Sequence, residues 1–196
     1  MRLIAATRND HKLRELAQIL SAVELHPLPD AVELPPEDGE TFQANALIKA
    51  RATYEACGEP ALADDSGISA AALGGRPGVR SARYASENAT DEENLNLLIA
   101  ELREHEDRRV AYVCALAHIG ADGAETVVEA RCEGTLILEP RGTRGFGYDP
   151  AFVPDDTGPD DERTMAELSD SEKHAISHRG RAARAMADRL GLGDPA

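Results

Sequence analysis

Residues 3–20 read LIAATRNDHKLRELAQIL, and within a few positions the pattern changes from that of a strand to that of a helix. The apolar run at 3–6 predicts a short buried strand, and the apolar residues between Lys12 and Leu20 recur at helical spacing. The polar loop between them brings Lys12 to a helix N-terminus, where a phosphate could be held. The loop lacks the glycines of a Walker phosphate loop. This order of elements predicts an α/β fold.

The alternation of strand and helix patterns continues along the chain and predicts a mixed sheet flanked by helices. Thr90 and Glu93 form a capping box that starts a helix, and Asp122 with Gly123 predicts the turn of an antiparallel hairpin. Ser177 can cap the last helix. The further predicted elements are a strand at 23–28, a helix at about 41–56, a helix from 91 to about 104, and strands at 110–119 and 125–138.

Length and composition place outer limits on the protein. With 196 residues and 42% hydrophobic content, we expect a single domain over residues 1–190 and a flexible tail at 191–196. No apolar run of about 18 residues and no signal peptide are found, which predicts a cytoplasmic protein without a membrane span. Cys57, Cys114 and Cys132 are odd in number and lack Cys-x-x-Cys spacing, so we expect buried free thiols.

The charge balance narrows the choice of partner. A formal net charge of −15 disfavours a nucleic acid, whose binding rests on Lys and Arg neutralising phosphates. A small anionic substrate is compatible with this charge if a local positive pocket and a divalent cation offset the field. Much of the negative charge lies at 155–162, which we interpret as a mobile acidic loop.

Two adjacent carboxylates, Asp64 and Asp65, end a short apolar run and are followed by Ser66 and Gly67. Two interpretations stand at this point. Asp, Ser and Gly are ordinary turn residues, so the segment could be a polar turn that leaves a strand. Carboxylate oxygens also suit Mg²⁺, which shares its coordination shell with substrate phosphates.

Lysine is rare, with only three residues among 21 Lys plus Arg, namely Lys12, Lys49 and Lys173. This bias suggests positions where a compact ammonium binds phosphate or a keto oxygen and cannot be replaced by the planar guanidinium. Chance placement of solvated lysines is the alternative. Phe146 and Phe152 enclose Tyr148 within seven residues, a cluster that could stack a base or fill a small core.

Charged residues at two predicted helix starts have two interpretations each. Three acids, Glu37, Asp38 and Glu40, precede the helix at 41–56, and each could either compensate its dipole or bind a metal. His178 and Arg179 place cations at a helix N-terminus, which the dipole disfavours unless an anion or polar ligand compensates them. His178 could also be an ordinary capping or surface residue.

Five groups of residues, taken together, resemble the inosine triphosphate pyrophosphatase family, the Ham1-like non-canonical purine nucleotide pyrophosphatases. The resemblance covers nearly the whole chain, and five motifs in order at this length are highly specific. The groups are Thr7, Asn9 and Lys12; Glu37, Gly39, Thr41, Phe42, Asn45, Ala46, Lys49 and Ala50; residues 64–67 with 74–84; residues 146–150; and residues 165–168, Lys173 and 177–180.

The resemblance implies hydrolysis of dITP, ITP, XTP or dXTP to the monophosphate and pyrophosphate. It further implies an elongated mixed sheet in two lobes with a central substrate cleft, and a homodimer. Asp65 would be the proton acceptor and a Mg²⁺ ligand, Glu37 would share the metal, and Asp64 could support it. The implied substrate-binding residues are Thr7, Arg8, Asn9, Asp10, His11, Lys12 and Ser66 for the phosphates, and Phe146, Gly147, Tyr148, Asp149, Lys173, His178 and Arg179 for the base.

The chain departs from the family pattern at two positions. Ala44 stands where many relatives have Glu, and Arg8 occupies a position that is often small in bacterial relatives. Whether Glu37 or Glu40 completes the metal site is open. A pyrophosphatase for other modified nucleotides and a non-catalytic nucleotide sensor are the competing functions, and an interaction protein would leave the lysines unexplained.

Overall fold

The computed structural model of the protein describes residues 1–192, in which strands and helices follow one another along most of the chain. The strands are β1 (Arg2–Ala5), β2 (Glu24–Pro27), β3 (Ala61–Ala70), β4 (Arg109–Ile119), β5 (Glu125–Leu136) and β6 (Phe152–Pro154). The helices are α1 (Asp10–Ile19), α2 (Phe42–Cys57), α3 (Asp91–Leu102), α4 (Asp170–Ile176) and α5 (His178–Arg189). Short 3₁₀ turns occur at Ala71–Leu73, Gly78–Arg83, Asp149–Ala151, Asp155–Thr157 and Met165–Glu167.

Within residues 1–192 the strands form one sheet in the order β2-β1-β3-β4-β5-β6. β1 runs parallel to β2, with Leu3 opposite Leu25, and parallel to β3, with Ile4 opposite Ala61. β5 and β6 are antiparallel, with Thr135 opposite Val153. The sheet is therefore mixed, which confirms the predicted fold class.

The contacts group the chain into two compact units, each with its own apolar core. Unit 1 comprises Met1–Asp65, Cys114–Ala130 and the chain from Arg179 onward, and unit 2 comprises Ser66–Val113 and Arg131–His178. The core of unit 1 includes Leu3, Leu16, Leu62, Leu116, Ala183 and Met186. The core of unit 2 includes Ile68, Leu98, Leu102, Val110, Phe152 and Leu168. A single domain over 1–190 and a cleft between lobes stay predictions.

Helix starts and ends follow the residues that the sequence places there. The Asn9 side chain caps α1, the Thr41 side chain caps α2, and α2 ends at Gly58, whose φ of 66° is left-handed. The predicted capping box of Thr90 and Glu93 starts α3, with the Thr90 amide 2.7 Å from Glu93 Oε2. These helices therefore begin within a few residues of the predicted positions.

The interpretation of residues 64–67 as a strand end or a polar turn that leaves a strand is wrong, because β3 continues through both aspartates to Ala70. The continuation is stabilised by a close fit between Gly67 and the turn at Gly78–Arg83. A Cβ on Gly67 would lie 2.3 Å from Ser81 Oγ and 2.7 Å from the Gly78 carbonyl oxygen. Ser81 Oγ accepts a 2.8 Å hydrogen bond from the Ile68 amide. Gly67 is thus a packing position in a strand and not a turn residue.

Further differences from the predicted elements are local. Helix α4, which begins with a Ser169–Glu172 capping box, and the short strand β6 were not predicted. The acidic segment at 155–162 contains a 3₁₀ turn, and Arg109 binds Asp155 across 2.8 Å; its mobility stays a prediction. The predicted flexible tail at 191–196 falls mostly on residues 193–196, which lie outside the described residues.

The three cysteines are free thiols, of which Cys114 and Cys132 are buried and Cys57 is half-buried. The expectation of free thiols is confirmed, and that of burial holds for two of them. None of the helices within residues 1–192 is both long enough and apolar enough to span a bilayer.

Candidate active site

Asp64, the first carboxylate of the Asp-Asp pair, is fully buried in unit 1 and surrounded by donors. Its Oδ2 accepts a 3.0 Å hydrogen bond from Arg179 Nε and a 3.1 Å bond from the Cys114 thiol, and its Oδ1 pairs with the Lys12 ammonium. Arg179 also pairs with Glu15 through its other side. Asp64 therefore anchors two cations and is itself fully committed to them.

Asp65, the second carboxylate, has a different environment. Its side chain is 7% exposed, and its Oδ1 lies 3.6 Å from the Lys49 ammonium. Its Oδ2 is buried and has no hydrogen-bond partner among the described residues. Lys49 donates its shorter contact, 2.8 Å, to Glu37 Oε1. Asp65 and Glu37 therefore share one ammonium, and Asp65 keeps an oxygen available.

These environments move the two pKa values in opposite directions. Burial alone would raise the pKa of Asp64, but the Arg179 and Lys12 charges more than offset it and hold that pKa well below its usual range. Burial raises the pKa of Asp65 to about 6, against the opposing charges of Lys49 and Lys12, and the Glu37 carboxylate adds to the rise. Two neighbouring acids whose pKa values are shifted in opposite directions are typical of a site that transfers protons.

The donor set near Asp65 fits a hard divalent cation. Asp65 and Glu37 offer carboxylate oxygens, one of them buried without a partner. The cations of the cluster (Lys12, Lys49 and Arg179) are outnumbered by its carboxylates (Glu15, Glu37, Asp64 and Asp65). The cluster alone is thus not positive enough to hold a polyphosphate, and a cation would compensate.

No group of three or more His, Cys, Asp or Glu among residues 1–192 is arranged to hold a metal ion by itself. Mg²⁺ keeps several waters and is bound by one or two carboxylates plus substrate phosphates, so Asp65 and Glu37 are the residues that would hold it. The helix-dipole interpretation of Glu37 is not supported, because α2 begins at Phe42 with no acid in its first turn.

The predicted phosphate loop at 7–12 is held by its own hydrogen bonds. Thr7 Oγ1 accepts from the Asn9 amide across 3.1 Å, and Asn9 Oδ1 accepts from the amides of His11 and Lys12 across 2.9 and 3.2 Å. Asp10 is the acid of the first turn of α1. The loop thereby presents Lys12 toward Asp64 in a fixed position, and its binding of phosphate stays a prediction.

Unit 2 contains a second buried polar cluster, centred on Asp149. Asp149 Oδ2 accepts a 2.7 Å bond from the Lys173 ammonium and a 2.9 Å bond from the Phe146 amide, and Oδ1 accepts a 3.0 Å bond from the Tyr112 hydroxyl. Gly145 makes this possible, because its φ is 72° and a Cβ there would lie 2.0 Å from Asp149 Oδ2. The predicted lysine and the glycine-rich loop thus meet at one carboxylate.

Aromatic rings line the same cluster. The Lys173 ammonium lies 5.1 Å from the centroid of the Phe146 ring, and the His178 ring stacks on Tyr112 with centroids 4.5 Å apart and planes 10° apart. The Tyr148 hydroxyl donates a 2.8 Å bond to the Ser81 carbonyl, and the Gly147 amide bonds Asp91. Polar and aromatic side chains thus meet in one mostly buried cluster, and its binding of a base stays a prediction.

Several residues of these clusters were not identified as site residues by the sequence analysis. Glu15 and Cys114 lie among helix and strand residues with no motif around them, and Tyr112 lies in an apolar run. No local signal identifies them, because their role depends on tertiary proximity to Asp64 or Asp149. Arg179, by contrast, was noted in the sequence as a cation at a helix N-terminus that needs a compensating anion. Asp64 and Glu15 supply that negative charge.

The predicted site residues fall into two groups. Unit 1 brings together Lys12, Glu37, Lys49, Asp64, Asp65 and Arg179, and unit 2 brings together Phe146, Asp149, Lys173 and His178. Arg179 was predicted to contact the base, and its described contacts are to carboxylates of unit 1. Ser66 is half-buried beside Asp65 in β3. The substrate contacts of all these residues stay predictions.

Comparison with known proteins finds relatives that match nearly the whole chain. The Ham1 family profile matches residues 3–189. The chain is 46% identical over 197 residues to the dITP/XTP pyrophosphatase of Geobacter sulfurreducens, covering 97% of this chain and 96% of the relative. It is 48% identical over 201 residues to the protein of the same name from Frankia alni, covering 97% of both.

Solved structures are similar over the same length. The HAM1 protein of Coxiella burnetii superposes with a TM-score of 0.88 at 38% identity, covering 98% of this chain and 100% of the other. The Ham1 protein of Staphylococcus aureus has a TM-score of 0.85 at 33% identity, covering 97% and 98%. With the profile spanning nearly all of its residues and relatives matching from end to end, the chain belongs to the Ham1 family.

Proposed function

We propose that this protein hydrolyses non-canonical purine nucleoside triphosphates, dITP, ITP, XTP or dXTP, to the monophosphate and pyrophosphate. The observation that carries the proposal is the Asp64–Asp65 pair, one acid fixed as an ion-pair anchor and the other with a raised pKa and an unpartnered oxygen. The relatives named dITP/XTP pyrophosphatase support the substrate class.

In the proposed reaction Asp65 accepts a proton from a water molecule that attacks the α-phosphorus. A new P–O bond forms, the bond between the α-phosphorus and the bridging oxygen breaks, and pyrophosphate leaves with the electron pair. A raised pKa suits a general base, since it strengthens the base while leaving it ionised near neutral pH. Lys12, held by Asp64, and Lys49 would offset the charge that develops on the phosphates.

We propose Mg²⁺ as the cofactor, held by Asp65 and Glu37. When bound, the ion neutralises phosphate charge and helps orient the triphosphate. Two cations of the protein would support this site. Lys49 contacts both Glu37 and Asp65, and Arg179 keeps Asp64 ionised. Glu40 is exposed, so Glu37 is the better candidate for the second ligand.

The base would be recognised by the cluster around Asp149. Hypoxanthine and xanthine present a 6-keto acceptor where adenine presents an amino donor, and Lys173 is a donor held rigidly by Asp149 and Phe146. A site whose buried polar groups are left unpaired by the wrong ligand can discriminate by roughly 10⁴-fold. We therefore expect Lys173 to favour hypoxanthine and xanthine over adenine.

We further propose that the protein acts in the cytoplasm as a homodimer. Three free thiols are typical of a reducing compartment. The negative net charge of −15 supports a small-molecule substrate over a nucleic acid. Light scattering coupled to gel filtration measures the oligomeric state, and a monomeric mass would contradict the dimer.

The decisive experiment measures pyrophosphate release from dITP, XTP, dATP and dGTP with and without Mg²⁺. We expect Mg²⁺-dependent turnover of dITP and XTP, and a loss of at least about 10²-fold in Asp65→Asn, since a general base contributes about 10²- to 10⁴-fold. Asp122→Asn is the matched control, because Asp122 caps a distant turn and Asn can accept the same bond from the Ala124 amide.

Three outcomes would contradict the proposal. If dATP and dGTP were hydrolysed as fast as dITP and XTP, the protein would have no preference for non-canonical purines. A folded wild-type protein that is inactive on all four, yet gains thermal stability with a nucleotide, would indicate a sensor. Activity confined to a panel of modified pyrimidine or methylated nucleotides would indicate the related pyrophosphatase.

A further inference from the structure

Arg8 lies within the phosphate loop, between the end of β1 and the Asn9 cap of α1, but its side chain is directed to another segment of unit 1. Its Nη1 donates a 2.8 Å hydrogen bond to the Leu28 carbonyl, and its Nη2 donates bonds of 2.8 and 2.7 Å to the carbonyls of Pro29 and Val32. A longer contact of 3.4 Å reaches the Asp30 carbonyl. One guanidinium thus binds the turn that follows β2.

The segment that Arg8 binds forms few other hydrogen bonds. The Val32 amide donates to the Pro29 carbonyl across 3.0 Å, and the other hydrogen bonds of residues 29–36 in the described part of the chain all come from Arg8. The Asp30 carboxylate is fully exposed and 3.7 Å from Nη1, so its ion pair with Arg8 is weak. The carbonyl bonds are therefore the main tether.

The tethered segment leads directly to the candidate metal ligand. Pro35 and Pro36 follow Val32 by a few residues and limit the φ angles of the chain up to Glu37. The Glu37 side chain is 31% exposed, and its Oε1 lies 2.8 Å from the Lys49 ammonium. A fixed turn and two prolines restrict where the Glu37 carboxylate can go.

We propose that Arg8 is a positioning residue that joins the phosphate loop to the segment 28–37 and so holds Glu37 beside Asp65. The proposal rests on the proposed function for its effect on metal, whereas the tether itself is a property of the free protein. Only a planar guanidinium can donate to three carbonyls from two nitrogens at once, so Lys at this position replaces Arg poorly.

The first test is hydrogen exchange of the Val32 amide in the free protein, without nucleotide or metal. We expect Arg8→Ala to speed this exchange by about tenfold or more, because opening of the turn no longer breaks charged hydrogen bonds. Arg8→Lys should fall between Arg8→Ala and wild type. Asp30→Asn, which removes the weak carboxylate contact and keeps the carbonyls, should exchange as wild type does.

The second test is the Mg²⁺ dependence of dITP hydrolysis. We expect Arg8→Ala to raise the half-saturating Mg²⁺ concentration by about three- to tenfold, with kcat at saturating Mg²⁺ close to wild type. The lost hydrogen bonds should also lower the melting temperature slightly. A purely structural role would lower the melting temperature and leave the half-saturating Mg²⁺ concentration unchanged, so the metal dependence is the measurement that discriminates. Asp30→Asn is again the control.

The outcomes distinguish a failure of the Arg8 tether from a failure of the proposed function. Unchanged Val32 exchange in Arg8→Ala would overturn the tether. A higher KM for nucleotide at saturating Mg²⁺, restored by Arg8→Lys, with unchanged exchange would assign Arg8 to phosphate binding instead. Faster Val32 exchange in an Arg8→Ala protein whose wild type hydrolyses no nucleotide would support the tether and overturn the proposed function.

Discussion

Asp64 and Asp65 show how much the surroundings of a residue decide its chemistry. They are identical side chains on consecutive positions of β3, and consecutive residues of a strand point to opposite faces. One face supplies Arg179, Lys12 and a thiol, and the other supplies Lys49 and a second carboxylate. The charges of Arg179 and Lys12 keep Asp64 ionised, whereas burial raises the pKa of Asp65.

The raised pKa of Asp65 makes a prediction about stability. Its pKa of about 6 in the folded protein exceeds the ordinary 3.8. Between these values the unfolded chain loses the proton first, so folding stability falls as the pH rises through this window and stays lower above it. Asp65→Asn removes this cost, and we expect it to be about 1–3 kcal/mol more stable than wild type at pH ~8.

Urea denaturation of the metal-free protein in chelator measures the effect. The difference between Asp65→Asn and wild type should shrink toward zero as the pH is lowered below about 4, where the aspartate is protonated in both states. Asp122→Asn also removes one negative charge and keeps the turn bond to the Ala124 amide, so it is the control variant. A variant less stable than wild type at pH ~8 would show that the Asp65 environment favours its charge.

At the scale of elements, β3 carries the proposed catalytic carboxylate and also packs closely against the turn at Gly78–Arg83. Gly67 packs against Ser81 and the Gly78 carbonyl with no space for a Cβ, and Ser81 binds the Ile68 amide. The run of Asp, Asp, Ser and Gly, which taken alone is typical of a turn, is thus held extended by its partners in the fold.

Gly67→Ala tests this fit. The added methyl group would meet backbone and side-chain atoms at 2.3 to 2.8 Å, so we expect a loss of about 2–3 kcal/mol in the free energy of unfolding. Gly58→Ala is the comparison: its φ is 66°, but no atom lies within 4 Å of the added Cβ. It should cost only the left-handed strain of about 1 kcal/mol. Equal losses in the two variants would contradict the packing role.

At the scale of the whole molecule, the net charge of −15 opposes both compaction and the approach of an anionic substrate. The active-site cluster does not reverse this field, since its carboxylates outnumber its cations. The proposed Mg²⁺ would supply part of the positive charge that a triphosphate needs, which links the composition of the protein to its proposed cofactor.

Self-repulsion of this size predicts a salt dependence of stability. Raising NaCl from about 10 mM to about 150 mM shortens the screening length from about 30 Å to about 8 Å. We expect the melting temperature of the metal-free protein to rise over this range, because the repulsion is screened more than the short buried pairs such as Asp64–Arg179. A falling melting temperature would show that surface ion pairs outweigh the net charge.

The sequence by itself determined the α/β class, the start of α3, the hairpin turn at Asp122 and Gly123, and the family. Each depends on local signals such as apolar periodicity, capping residues and turn glycines, or on motifs in a fixed order. Helix α4 was missed even though its Ser169–Glu172 capping box has the same local form as that of α3, so local signals are read incompletely when the helix is short.

Only the tertiary structure decided what the site residues do. The continuation of β3 through Asp64, the pairing of Arg179 with that aspartate and the joining of Lys173 to Asp149 all connect positions far apart in the chain. Arg8 binds carbonyls twenty and more positions away. The contrast between Asp64 and Asp65 belongs here too, because burial and neighbouring charges set a pKa, and neither exists until the chain has folded.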